Sequence, residues 1–459
     1  MKNAAGQNFC HSHAPLRFGL PEQCGFLAVS PLLQLPFVGR PFRETALPGS
    51  VSIGVMSAAR LRAGVAIGAH TAVDFYSFLP IGLLPLFRAR LDATPAQVAL
   101  LLAVGSVTSG LVQPAAAFVS DRLNTRSIGT LGLLVAAVAI CVMPFAPSFA
   151  VLLALYSAGA AGVGAFHPPA VAAVGQLAGR RRSLAVSVFF LAGMGGGILG
   201  NVLPPQQAAR FGVESLAWLA IPGVAVAAAL AWAIHAVAHR RHDAHEKHRG
   251  LSRVDRRRRW AAVWLLYAGN FVRFSVNMAL VYLLLAWVEE RVRSHASADP
   301  LALDLAQRAS AINGAMQAAM QVGMGCAGLA AGWFLRAHHE KAALVAVPML
   351  GAAAAALIPN SSIPAGFALT VVAGAGFGGL VPVTIALAQR LLPHRTSLAS
   401  SLMMGGAWAF AGVGSLAAER LHHALGLGAA FFVTAGALAV AGVLSLLLPG
   451  PLLRSIDPH

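Results

Sequence analysis

A chain of 459 residues in which 57% are apolar and only 11% are charged is too oily for a soluble globular domain of that length. Its formal net charge of +17 does not point to nucleic acid, because the basic residues sit between apolar runs instead of covering one soluble face. The four cysteines (Cys10, Cys24, Cys141 and Cys326) show neither metal-ligand spacing nor a disulfide framework.

Residues 1–60 are rich in Pro and His, lack a clean helical period and carry no signal-peptide cleavage pattern, so little order is expected there. Met56, followed by Ser-Ala-Ala-Arg and the first apolar run, is a candidate natural start. From Ala63 onward come twelve apolar runs, near 63–87, 97–119, 128–146, 149–175, 184–204, 214–237, 260–288, 307–334, 342–358, 363–389, 397–418 and 428–448. Each is long enough for a helix to cross about 30 Å of hydrocarbon at roughly 1.5 Å per residue. Helices are favoured over barrel strands because no alternating pattern is present and lipid-facing backbone must satisfy itself.

The basic residues between the runs set a topology. Arg122 and Arg126, Arg180 to Arg182, Arg240 to Arg259, Arg336 and Lys341, and Arg390 and Arg395 all fall in alternate connections. The opposite connections are neutral or mixed, as with Glu289, Glu290, Arg291 and Arg293, or Glu419 and Arg420. By the positive-inside rule both termini and the central connection are cytoplasmic, with the cell inner membrane the expected location.

Residues 238–259 divide the chain, with nine Lys and Arg residues and no apolar period, and read as a basic linker. The expected organisation is an extension (1–60), a six-helix bundle (61–237), the linker (238–259), a second six-helix bundle (260–450) and a tail (451–459). The halves share a register. At a fixed offset of 214 residues, Gly162, Gly164, Pro168, Ser183, Leu184, Ala185, Ser187 and Gly200 meet Gly376, Gly378, Pro382, Ser397, Leu398, Ala399, Ser401 and Gly414. Two related bundles with a site between them at mid-membrane are the architecture of a secondary transporter.

Ionisable groups inside the spans each cost about 2.5 to 3.5 kcal/mol at the bilayer centre unless they face protein or water. Span 1 carries His70 and Asp74, four apart and therefore on one helix face, where they can share a proton or form a structural pair. Span 4 carries His167 before Pro168 and Pro169, which free backbone carbonyls at a kink. Span 7 carries Arg273 between Asn270 and Asn277. A guanidinium stays charged and needs an anion: either an acidic side chain, Asp74 being the candidate, or an anionic substrate. Gln113 adds polar lining, and Asn313, Gln317 and Gln321 form a stripe on span 8 that should face a cavity. Gly193, Gly195, Gly196, Gly197 and Gly200 in span 5 suit close helix packing.

Two local patterns carry a resemblance. The connection Ala117-Phe-Val-Ser-Asp121-Arg122-Leu-Asn124-Thr-Arg126 resembles the signature loop of the major facilitator superfamily, with Ala117 and Asn124 in place of glycines. Asn is the best substitute where a left-handed turn is needed. The resemblance implies gating roles for Asp121, Arg122 and Arg126; the second-half counterpart near Gly332 to Arg336 lacks the aspartate. The stretch His70 to Pro85, Gln113-Pro114, Gly164 to Pro168 and Ser183 to Gly200 looks like the fosmidomycin resistance branch of that superfamily. That likeness covers most of the first half and fades in the second. It implies proton-coupling or cavity roles for His70, Asp74 and His167. Gly196 and Gly200 also match the antiporter motif Gly-x-x-x-Gly-Pro, with Asn201 where its proline would stand.

The expectation is therefore an all-α membrane protein of twelve transmembrane helices in the major facilitator fold, working by proton-coupled efflux of a small drug or metabolite, anionic compounds included. Its partners would be that substrate, protons and the bilayer, with no nucleic acid, cofactor or resident metal, and it is expected to be a monomer. Substrate-binding candidates are Arg273, Asn270, Asn277, Gln113, Gln317 and Gln321. Rival readings are an uptake symporter for a sugar, carboxylate or osmolyte, and a membrane enzyme using His167, for which no Ser/His/Asp set or phosphate-binding loop is evident.

Overall fold

The computed structural model describes residues 58–123, 127–178, 182–235, 237, 252–295, 302–393 and 395–455. The extension before Ala58, most of the linker and the last residues of the tail lie outside this set. Span 1 consists of α1 (Ala58–Gly82) and α2 (Leu84–Leu91), bent by 50°. Spans 2 to 6 are α3 (Pro95–Leu123), α4 (Ser127–Val142), α5 (Phe149–Leu177), α6 (Arg182–Phe211) and α7 (Ala220–His235). The second half runs through α8 (Arg253–Ser294), α9 (Ala302–Phe334), α10 (Glu340–Leu357), α11 (Ile363–Gly378) and α12 (Val381–Leu391). It ends with the broken span 11 of α13 (Thr396–Ser401), α14 (Ala407–Ala409) and α15 (Val413–Leu425), then α16 (Leu427–Leu444) and a short α17 (Gly450–Ser455).

Ten helical stretches among the described residues are long and apolar enough to cross a bilayer, and bent span 1 makes an eleventh. The remaining span, α9, is 33 residues long. Its Asn313, Gln317 and Gln321 keep it below that apolarity, yet all three are fully buried, so the polar stripe does face protein. Helix α8 begins at Arg253, inside the stretch expected as linker. Ser252 caps it by accepting from the Asp255 amide at 3.0 Å, and Asp255 sits in the favourable first turn.

Proline chemistry explains the bend in span 1. Pro85 has no N–H to give the Ile81 carbonyl four residues back, so that carbonyl is freed within the membrane. Asn313 of α9 supplies the missing donor, its Nδ2 lying 2.8 Å from Ile81 O. The bend in the first half is thus satisfied by an amide of the second.

The shared register has a physical cause: the matched glycines are crossing points. Gly162 of α5 lies against Gly132 of α4, and Gly376 of α11 against Gly351 of α10. Gly164 meets Ser109 of α3, as Gly378 meets Met324 of α9. Gly200 of α6 meets the Phe75 carbonyl of α1, as Gly414 of α15 meets the Ser275 carbonyl of α8. A methyl group at any of these positions would overlap its neighbour, which is backbone at every one of them except Gly378, where it is the Met324 side chain, so glycine is what lets these spans cross so closely. The two six-helix bundles use one set of crossings twice.

Candidate functional site

The structure brings together His70, Asp74 and His167, which come from spans 1 and 4. Asp74 Oδ2 is 3.4 Å from His70 Nε2, and its Oδ1 is 3.4 Å from His167 Nε2. The two Nε2 atoms are 3.2 Å apart. Both rings are oriented through their other nitrogen. His70 Nδ1 donates to the Phe189 carbonyl of α6 at 2.5 Å, and His167 Nδ1 donates to Val163 O at 2.7 Å. A carbonyl can only accept, so both Nδ1 atoms carry hydrogen, and each Nε2 faces the carboxylate as a lone pair on a neutral ring or as a donor on a protonated one.

The surroundings are apolar. Phe189 stacks on His70 at 3.8 Å between centroids, and Phe166 lies 6.0 Å away on a nearly parallel plane. Gly193 of α6 passes so close that a methyl group there would overlap both the His70 ring and Asp74 Oδ2. The glycine-rich stretch of span 5 therefore has two tasks: Gly196 and Gly200 seat α6 on the backbone of α1, and Gly193 leaves space for the triad. His70 and Asp74 are buried at 2% and 7% exposure, whereas the His167 side chain keeps 22%. His167 is thus the most exposed member of the group.

Arg273 lies elsewhere. It is 1% exposed and points into the second bundle, where Nη1 donates to Asn270 Oδ1 at 3.2 Å and Nη2 to the Leu344 carbonyl at 3.3 Å. Its Nε has no partner. Asp74, the acidic partner considered from sequence, is held by the two histidines instead, because i, i+4 geometry on α1 turns its carboxylate toward span 4 and away from α8. Asn270 donates to Thr384 Oγ1 at 2.8 Å and to the Met403 carbonyl at 3.1 Å. Gln317 bridges to Val281 O and Asn313 Oδ1, each at 3.2 Å. The acceptors Asn277 Oδ1, Gln317 Oε1 and Gln321 Oε1 are buried without a protein partner, as are donors such as Arg273 Nε and Ser310 Oγ, so the interior of the second half holds unpaired polar atoms of both kinds. Gln113 of span 2 faces Gly405, in the five-residue π-helical turn of span 11.

Of the gating residues, Arg126 and the Asp121 side chain lie outside the described residues. Arg122 stacks over Phe118, its guanidinium carbon 4.7 Å from the ring centre. At the opposite end of the bundle Arg88 of α2 pairs with Glu289 of α8, and Ser415 of α15 donates to Ala99 O of α3 at 3.0 Å. Together with Asn313 and Ile81 these contacts tie the two halves at that end. Sequence reasoning missed the backbone acceptors Phe189 O and Met403 O, although the offset of 214 residues pairs them.

Two related helical bundles that place ionisable and amide groups in their interiors, in a chain of membrane-spanning helices, define a transporter and not an enzyme. The Major Facilitator Superfamily model matches residues 66–294, and the chain belongs to that family. Over 181 residues it is 26% identical to the fosmidomycin resistance protein of Escherichia coli (strain K12), a stretch covering 39% of this chain and 43% of that protein. The chain thus aligns with less than half the length of this curated relative. Its fold resembles a bacterial homologue of the human lysosomal transporter Spinster, in an inward-facing and unoccupied conformation (TM-score 0.67, 15% identity, 88% of this chain and 100% of that one). It also resembles the peptide transporter POT in complex with sulfate (TM-score 0.63, 15% identity, 86% and 96% covered).

Proposed function

We propose that the protein is a proton-coupled exporter of a small drug or metabolite in the inner membrane, working by alternating access, with both termini cytoplasmic. One observation carries the reading: two imidazoles and a carboxylate converge at a buried site, with His167 the most exposed of the three. Such a group can take up a proton and release it when the side to which it is accessible changes. Arg273, held among the described residues only by neutral groups, supports an anionic cargo, recognised through its guanidinium with Asn270, Asn277, Gln317 and Gln321 supplying further polar contacts. The Escherichia coli relative's name supports efflux and makes a phosphonate such as fosmidomycin the first compound to try.

The energetics suffice. One proton entering down about 100 mV and one pH unit releases roughly 2.3 plus 1.4 kcal/mol, enough for several-hundred-fold accumulation of a neutral solute. The test is substrate flux in proteoliposomes with an imposed pH gradient. Export should follow the gradient and stop when a protonophore collapses it. Flux indifferent to the gradient sinks the coupling, and uptake driven by the gradient replaces export with symport.

A further inference from the structure

The atoms facing one another in the triad have committed their other valences. Both Nδ1–H groups donate to carbonyls, so both Nε2 atoms of the neutral rings are acceptors, 3.2 Å apart and each 3.4 Å from a carboxylate oxygen. Three electron-rich groups at that spacing repel unless a cation lies among them. A proton meets the need for one edge at a time. A metal ion meets it for all.

We infer that His70, Asp74 and His167 form a binding site for a divalent transition-metal ion of the Zn2+ type. A tetrahedral ion with bonds of roughly 2.0 to 2.2 Å sets its ligand atoms about 3.3 to 3.6 Å apart; here the two Nε2 atoms stand 3.2 Å apart, and each has its nearer oxygen of Asp74, Oδ2 for His70 and Oδ1 for His167, at 3.4 Å. One ligand atom from each residue lies within 4.8 Å of the others, so small rotations about the side-chain torsions suffice to close the set. Asp74 turns one oxygen to each histidine, as a carboxylate straddling an ion does. The second shell is already in place: each histidine gives its other N–H to a backbone carbonyl, which fixes the tautomer and aims Nε2. Two imidazoles and one carboxylate select Zn2+, Co2+ or Ni2+ over Mg2+ or Ca2+, which want more oxygen ligands. His167, the most exposed of the three at 22% of its side chain, is the side from which an ion would enter.

An inhibitory consequence rests on the proton-coupling reading above: an ion held by all three groups leaves no lone pair for a proton, so Zn2+ should block gradient-driven flux. The test of the site itself does not need transport. Full-length protein in detergent is titrated with Co2+, whose tetrahedral complexes have intense visible bands, and the ion is then displaced with Zn2+. The background carries Gln at His239, His242, His245 and His248, because that histidine-rich linker sequence is a second source of ligands. A single tetrahedral Co2+ per chain is expected. Asp74→Asn and His167→Gln, each checked for folding by thermal midpoint, should weaken it by about 100-fold, as loss of a ligand does; the double variant His422→Gln, His423→Gln should leave it intact. An octahedral spectrum only, or a tetrahedral one that survives in both triad variants, overturns the site. Should Zn2+ bind at the triad while flux keeps its gradient dependence, the metal site stands and the proton reading falls. Gradient-driven flux with no tetrahedral ion leaves the reverse.

Discussion

The two halves of the molecule solve one packing problem with different chemistry. In the first, His70 of span 1 donates to the Phe189 carbonyl of span 5; in the second, Asn270 of span 7 donates to the Met403 carbonyl of span 11. The donors are 200 residues apart and the acceptors 214, the same spacings that relate Phe75 to Ser275 and Gly200 to Gly414 at the crossings. The contact is therefore the same contact, made by an imidazole on one side and a carboxamide on the other. An amide can hold the helices together but cannot carry a proton. Its neighbour Arg273 is charged at every physiological pH, whereas the first half has an ionisable acid at Asp74 and a third partner at His167. On the proposed function, one half would titrate while the other keeps a fixed positive charge, a division of labour suited to exchanging protons for an anion.

The sharpest way to break the comparison is to remove the titrating chemistry from the first half while leaving its packing. Asp74→Asn keeps the shape and removes the only carboxylate of the triad, and gradient-driven flux in proteoliposomes should fall to the level of protein-free vesicles. His70→Asn copies the solution of the second half. It should retain the bond to Phe189 O, change stability by no more than about 1 kcal/mol by thermal unfolding, and still lower gradient-driven flux. If His70→Asn transports and couples like the parent protein, the imidazole is only a strut.

A smaller effect tests the equivalence of the crossings. Gly200→Leu and Gly414→Leu each drive a side chain into a carbonyl of the facing span, Phe75 O or Ser275 O. Overpacking of this kind costs about 1–3 kcal/mol, and the two variants should lower the thermal midpoint by similar amounts. Gly195, with open space around it, is the control: Gly195→Ala should leave the midpoint nearly unchanged. A large drop from one crossing and none from the other would mean that the shared register is not a shared structural need.

Much of the fold could be read directly from the chain, because a bilayer imposes length and apolarity on every span and basic residues report the loops. The polar stripe of α9 and the pairing of His70 with Asp74 were also readable, since each rests on helical spacing alone. What spacing cannot give is partnership between distant spans. His167 lies 97 residues from His70 in the chain, and only the crossing of α1 and α5 brings its ring to Asp74. The same limit misdirected Arg273: its cost in lipid was legible, but a buried guanidinium can be satisfied by an amide and a carbonyl of its own bundle as well as by an acid across the cleft. The bend at Leu83 was hidden for a related reason, as Pro85 announces a freed carbonyl but not that Asn313 will satisfy it.

The mildest prediction concerns the end of the bundle where the halves are tied. Arg88 and Glu289 pair across the bundles, with 30% and 13% of their side chains exposed, so the ion pair is screened and contributes on the order of 1 kcal/mol. It bridges α2 and α8, elements that must separate if that end opens during the cycle. Glu289→Gln leaves Asn313–Ile81 and Ser415–Ala99 in place and should shift the balance toward the open end by about fivefold, read as faster labelling of a cysteine placed near Arg88 in a cysteine-free background. The fold and the triad should be untouched, so gradient coupling persists while the rate changes. Slower labelling, or loss of coupling, would mean that the pair does not latch that end but positions something the two bundles share.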